Sequence, residues 1–134
     1  MPLVRIDLIE HRTPDQVREV ADAIHEAIVE VLGIPEGDRF QILTSHKPDE
    51  IIALDAGLGF ERSDQLVMIH IFTQGGRTPD VKQQLFALLS ERLGLKGVPA
   101  EDVFVGITEN SAVDWSFGFG RAQYITGELA VPSS

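Results

Sequence analysis

The chain has 134 residues, 43% of them hydrophobic and 24% charged, with a formal net charge of −10 from 11 Lys and Arg against 21 Asp and Glu. That length buries a core without disulfide or metal staples, and the acidity argues against a nucleic-acid partner, whose phosphates are held by basic surface. No cysteine is present, which excludes disulfides, thiolate metal sites and cysteine nucleophiles; with no secretory segment and no apolar run near the roughly 18 residues of a membrane span, a cytoplasmic protein with no membrane partner is expected.

At the amino terminus stands Met1-Pro2. Initiator methionine is normally trimmed ahead of proline, which leaves Pro2 as a free secondary amine. An α-amino group titrates near about 8, close to working pH, so it can serve as base, cation or imine-former. Leu3 to Ile9 follows with alternating apolar and charged residues, the pattern of a strand that holds this amine in a fixed place.

Next, Thr13 as N-cap, Pro14 at the first helical position and Gln16 three residues after the cap predict a helix from Asp15 to about Leu32. Val17, Val20, Ala21, Ile24, Ile28 and Val31 fall on one face of it, and Gly33 is its stop. A second strand runs from Phe40 to Ser45. Lys47 through Ser63 reads as a linker carrying a short hairpin or edge strand. Gln65 to Thr73 is a third strand, nearly continuous in apolar residues, as in a central strand covered on one side and meeting another subunit on the other. Thr78-Pro79 opens a second helix, Asp80 to about Leu93, burying Val81, Leu85, Leu88 and Leu89, and Val103 to Thr108 is the fourth strand. A glycine-punctuated tail with Trp115, Phe117, Phe119 and Tyr124 ends the chain as a pocket wall or subunit-contact arm.

The chain repeats itself. Arg12-Thr13-Pro14-Asp15 recurs as Arg77-Thr78-Pro79-Asp80, and Ile34-Pro35-x-x-Asp38-x-Phe40 recurs as Val98-Pro99-x-x-Asp102-x-Phe104. The fold class expected is therefore α/β (α+β): two duplicated β-α-β units forming a four-stranded mixed sheet with two helices on one face. Residues 1–134 form one domain in this reading, with halves at about 2–46 and 65–108 and an aromatic arm over 109–134. Two helices cover only one face of such a sheet, so the other face points to a ring of subunits, three in number.

Pro2 opening a strand, the duplicated halves, Asp38 before the second strand, Arg77 after the third, and Glu109-Asn110-Ser111-x-x-Asp114-Trp115-Ser116-Phe117-Gly118 together resemble the malonate semialdehyde decarboxylase branch of the tautomerase superfamily. The resemblance spans almost the whole chain. It implies a cofactor-independent homotrimer in which Pro2 and Asp38 are catalytic and Arg77 grips a small anionic oxo-acid substrate. Gln74, Trp115, Phe117, Tyr124 and Leu129 are the substrate-binding positions it suggests. One departure stands out: the familiar pattern has an Arg-x-Arg pair after the third strand, whereas this chain has Gln74-Gly75-Gly76-Arg77.

The residues also have plainer readings. Arg77 and Asp38 are mirrored by Arg12 and Asp102, as helix-entry and turn residues would be. Trp115 and Phe117 suit a core, and Gln74 a strand end. His11, His25, His46 and His70 lack metal-ligand spacing, and Gly75-Gly76 reads as a turn with no phosphate-loop pattern. Three functions stay open on these residues: a decarboxylase of a small 3-oxo acid with hydratase side-activity, a 2-oxo acid keto-enol tautomerase, and a noncatalytic trimeric binding protein.

Overall fold

In the computed structural model, which describes residues 1–132, four strands form one sheet in the order β2-β1-β3-β4. The strands are β1 (Leu3–Ile9), β2 (Phe40–His46), β3 (Val67–Gln74) and β4 (Val103–Asn110), and the helices are α1 (Pro14–Leu32), α2 (Pro79–Gly94) and a short α3 (Gln123–Thr126). β1 pairs parallel with β2 and β3 parallel with β4, because each pair is joined across a helix. The two halves meet along β1 and β3, which run antiparallel. The sheet is mixed, as its duplicated sequence predicts. Ser133 and Ser134, the end of the expected arm, lie outside the described residues.

Local chemistry places these elements. At α1 the Thr13 hydroxyl accepts the Gln16 N–H at 3.2 Å while the Gln16 side-chain carbonyl accepts the Thr13 N–H at 2.9 Å, so two otherwise unpaired donors are satisfied reciprocally. Gly33 ends the helix at φ 67°, a left-handed conformation that costs a side-chain-bearing residue energy. Val4, Ile6 and Leu8 of β1 and Val67, Ile69 and Ile71 of β3 point to the helices and pack with Ile24, Ile28, Leu85 and Leu89. Burying each such side chain contributes roughly 1.5–3 kcal/mol, so this layer dominates the stability of the fold. On α2 the buried residues are Leu85, Leu89 and Leu93, with Val81 and Leu88 only partly covered.

The other face of the sheet has no helix. Phe40, Ile42 and Phe104 are exposed there, and a polar stripe crosses them. His46 pairs with Asp7 at 2.6 Å, His70 with the Thr108 hydroxyl at 2.7 Å, and Arg5 is exposed. The face is therefore less uniformly apolar than the run of β3 suggests, because alternate residues of that strand point to opposite sides.

The linker differs from expectation. It forms neither hairpin nor edge strand but a 3-10 turn at Pro48–Glu50 and a loop. The Asp55 carboxylate accepts the N–H groups of Gly57 and Gly59 at 3.1 and 2.7 Å, a local closure that competes with strand pairing. Among the described residues no helix is long and apolar enough to cross a membrane.

Candidate active site

The amino terminus, the turn before β2, the turn after β3 and the C-terminal arm meet at one end of the sheet. Pro35 C=O accepts the Asp38 N–H at 3.0 Å, and this turn aims the Asp38 carboxylate at the amino terminus. The amino group of Met1 contacts Asp38 Oδ2, and Met1 is buried, 1% exposed. Since Met1 precedes Pro2 here, the Pro2 nitrogen is an amide and the free amine belongs to Met1.

That amine sits in an unusual field. Burial lowers its pKa from 8.0 to about 5, and the nearby Arg77 charge acts in the same direction. The Asp38 carboxylate against it acts in the opposite direction, favouring the charged form. Arg77 itself is buried, 8% exposed, and its own pKa is lowered by burial, with Glu109 and Tyr124 opposing. Its Nη1 donates to Thr73 Oγ1 at 2.9 Å and to Gln74 C=O at 3.0 Å, which holds the guanidinium back against the end of β3. Gly76, at φ 109°, turns the chain between Gln74 and Arg77.

A cavity of about 210 Å³ opens beside this group. It is lined by Asp38, Phe117, Tyr124 and Leu129, all expected from the sequence, and also by Pro35, Gly37, Phe40, Ala130 and Pro132. Phe117 is the centre of the wall: its ring lies 5.5 Å from Phe40 and 5.3 Å from Tyr124, the latter edge-on at 87°. Burial raises the Tyr124 phenol pKa, partly offset by Arg77.

Four expected residues do not line the cavity: Pro2, Arg77, Trp115 and Gln74. Trp115 does not line the cavity but stacks on Phe117 from outside at 6.4 Å, its indole N–H donating to Asn110 Oδ1 at 2.8 Å. Gln74 Nε2 donates to Pro132 C=O at 2.6 Å and so ties down the arm that closes the cavity. Phe40 is a wall residue that the sequence reading does not assign to the site, although its position in the repeated Pro-x-x-Asp-x-Phe motif carries the signal: two residues after Asp38, it starts the strand beside the carboxylate.

The duplication separates the site from plain turn chemistry. In the second half, Asp102 also follows a Pro99 turn, with an N–H to C=O distance of 2.9 Å, and is 0% exposed. There the chain runs through: Ser63 N–H and hydroxyl donate to Asp102 at 2.8 and 2.5 Å, and Arg12 Nη2 donates to the Gln65 carbonyl and side chain at 2.8 and 3.1 Å. At the first end the amino group takes that place. Among the described residues, Asp38 Oδ1, Gln74 Oε1 and Arg77 Nε are buried without a hydrogen-bond partner, as is Arg12 Nη1. Unpaired buried polar atoms are costly, and one of them, Asp38 Oδ1, belongs to a residue that lines the cavity.

This arrangement of an N-terminal amine, a carboxylate and a guanidinium on a duplicated β-α-β fold defines a class. Models of the tautomerase enzyme family match residues 38–118 and residues 2–61, and the chain belongs to the tautomerase family. It is 42% identical over 130 residues to the probable tautomerase YrdN of Bacillus subtilis (strain 168), across 96% of this chain and 100% of that protein. Among solved structures it resembles FG41 malonate semialdehyde decarboxylase inhibited by 3-bromopropiolate, at 61% identity and a TM-score of 0.95 over 97% of this chain and 99% of that one. A second malonate semialdehyde decarboxylase, solved in wild-type, mutant and inactivated forms and described with decarboxylase and hydratase activities, matches at 38% identity and a TM-score of 0.91 over 96% and 99%.

Proposed function

We propose that this chain, once Met1 is removed, decarboxylates a small 3-oxo acid such as malonate semialdehyde to acetaldehyde and carbon dioxide in the cytoplasm, as a homotrimer without a cofactor. The observation that carries this reading is the convergence of the amino terminus, Asp38 and Arg77 at one end of the sheet, beside a cavity of about 210 Å³. Such a volume is about that of seven waters at roughly 30 Å³ each, suited to an acid of a few heavy atoms.

Arg77 grips the substrate carboxylate, its fork supplying positive charge that an acidic protein otherwise lacks. Pro2 in its neutral form attacks the aldehyde carbon, and loss of water gives an iminium. The bond from C2 to the carboxylate carbon then breaks, carbon dioxide leaves, and the electron pair moves through the new double bond to nitrogen. Water protonates the resulting enamine at carbon and hydrolyses it, returning acetaldehyde and the Pro2 amine. Asp38 orients that water, and the same office accounts for hydratase side-activity. Phe117, Tyr124 and Leu129, with Trp115 behind, keep the cavity dry and strengthen the charge interactions within it. Gln74 holds the arm in place.

A neutral Pro2 equally suits a general base, so the same site also fits the reading as a 2-oxo acid keto-enol tautomerase. One experiment separates the two. Malonate semialdehyde is given to the trimmed protein with borohydride present, and carbon dioxide release and protein mass are followed. The decarboxylase reading expects carbon dioxide without borohydride and, with it, a reduced adduct on Pro2. Neither signal, with ketonisation of a 2-oxo acid enol instead, establishes the tautomerase.

A further inference from the structure

We infer that Gln123 is a positioning residue for the aromatic wall of this cavity; the inference rests on the proposed reaction at Pro2. Gln123 is a buried amide, 7% exposed, in an arm whose surroundings are otherwise largely exposed. Its Oε1 accepts the Phe117 N–H at 2.8 Å and its Nε2 donates to Gly118 C=O at 2.9 Å. One side chain therefore clamps two consecutive residues at the entry to the bend, next to the ring at the centre of the wall.

The segment needs such a clamp. Gly118 stands at φ 134° and Phe119 at φ 60°, the latter an uncommon conformation for an aromatic residue, so this bend is not what the chain adopts by local preference. Beyond the bend, α3 places Tyr124 next to Gln123, and Gln123 C=O accepts the N–H groups of Gly127 and Leu129 at 3.1 and 3.2 Å. Phe117, Tyr124 and Leu129 thus all take their positions from Gln123 or its immediate backbone. Its side chain is absent from the cavity lining, so it acts on substrate only through the rings it holds.

The test compares Gln123→Met, which removes both amide bonds at similar volume, with Gln123→Glu, which keeps the acceptor for the Phe117 N–H. For malonate semialdehyde the Met variant is expected to raise KM about tenfold, the loss of two neutral hydrogen bonds, with kcat held within about threefold. The Glu variant recovers a large part of that loss. Emission from Trp115, the chain's one tryptophan, shifts in the Met variant because its stacking partner loosens. An unchanged KM in a variant with shifted emission overturns the inference, as does a fall in kcat/KM that only follows a lower folded fraction. A wild type that releases no carbon dioxide sinks the proposed reaction instead; Trp115 emission and near-ultraviolet circular dichroism then decide the clamp, and no change in either in the Met variant overturns it.

Discussion

Among single residues, one amine governs the site. Burial and Arg77 both favour its neutral form, and the consequence is visible in stability as well as chemistry. In a chain that keeps Met1, the folded amine titrates at about 5 against 8.0 unfolded. Between these values the unfolded state binds more protons, so stability rises with pH across the window from about 5 to 8 and levels off outside it. Thermal melts of the Met1-retaining protein from pH 4.5 to 8.5 should show Tm climbing over that interval, beyond the change seen in trimmed protein. A flat difference between the two forms contradicts the burial of the amine. Asp38 and Arg77 were legible from the sequence as members of a repeated motif, but the motif alone gave Asp102 and Arg12 equal standing. What separates them is their partners, since Ser63 and Gln65 bond Asp102 and Arg12 whereas the Asp38 carboxylate meets the amino group.

Among the elements, the turn after β3 carries Arg77, the proposed carboxylate grip, and Gly76 at φ 109° is its pivot. An alanine there must adopt a left-handed conformation at a cost of about 1–2 kcal/mol or shift the turn. Gly76→Ala should therefore lower Tm and raise KM for an anionic oxo acid together. Gly94→Ala, where an added Cβ meets nothing within 4 Å at the end of α2, should be neutral or stabilise by up to about 1 kcal/mol. Equal effects of the two, measured by thermal melts and steady-state kinetics, contradict the role of the turn. The two long helices and four strands were readable because hydrophobic periodicity and capping chemistry are local. α3 and the loop over the linker were not: α3 is four residues long and is stabilised by the arm's own bend, while Asp55 folds the linker back on itself through side-chain bonds that leave no periodic trace.

For the whole molecule, the sheet's uncovered face and the cavity end set the next expectations. Exposed Ile42 and Phe104 flank the polar stripe of Asp7, His46 and His70, a composition suited to a subunit interface in which apolar contact and hydrogen bonds alternate. Ile42→Lys should dissociate the proposed trimer, seen as a threefold drop in mass by light scattering, without altering the helical circular dichroism; a variant that keeps the wild-type mass places the interface elsewhere. The proposed chemistry stands or falls with the amine of Pro2, and intact mass together with carbon dioxide release from malonate semialdehyde, wild type against Pro2→Ala, reads it out. A mass lacking methionine is expected, with release that falls at least about a hundredfold in the variant, the scale on which loss of a positioned nucleophile or acid/base group acts. Full activity in Pro2→Ala, or in a wild type that retains Met1, would contradict it.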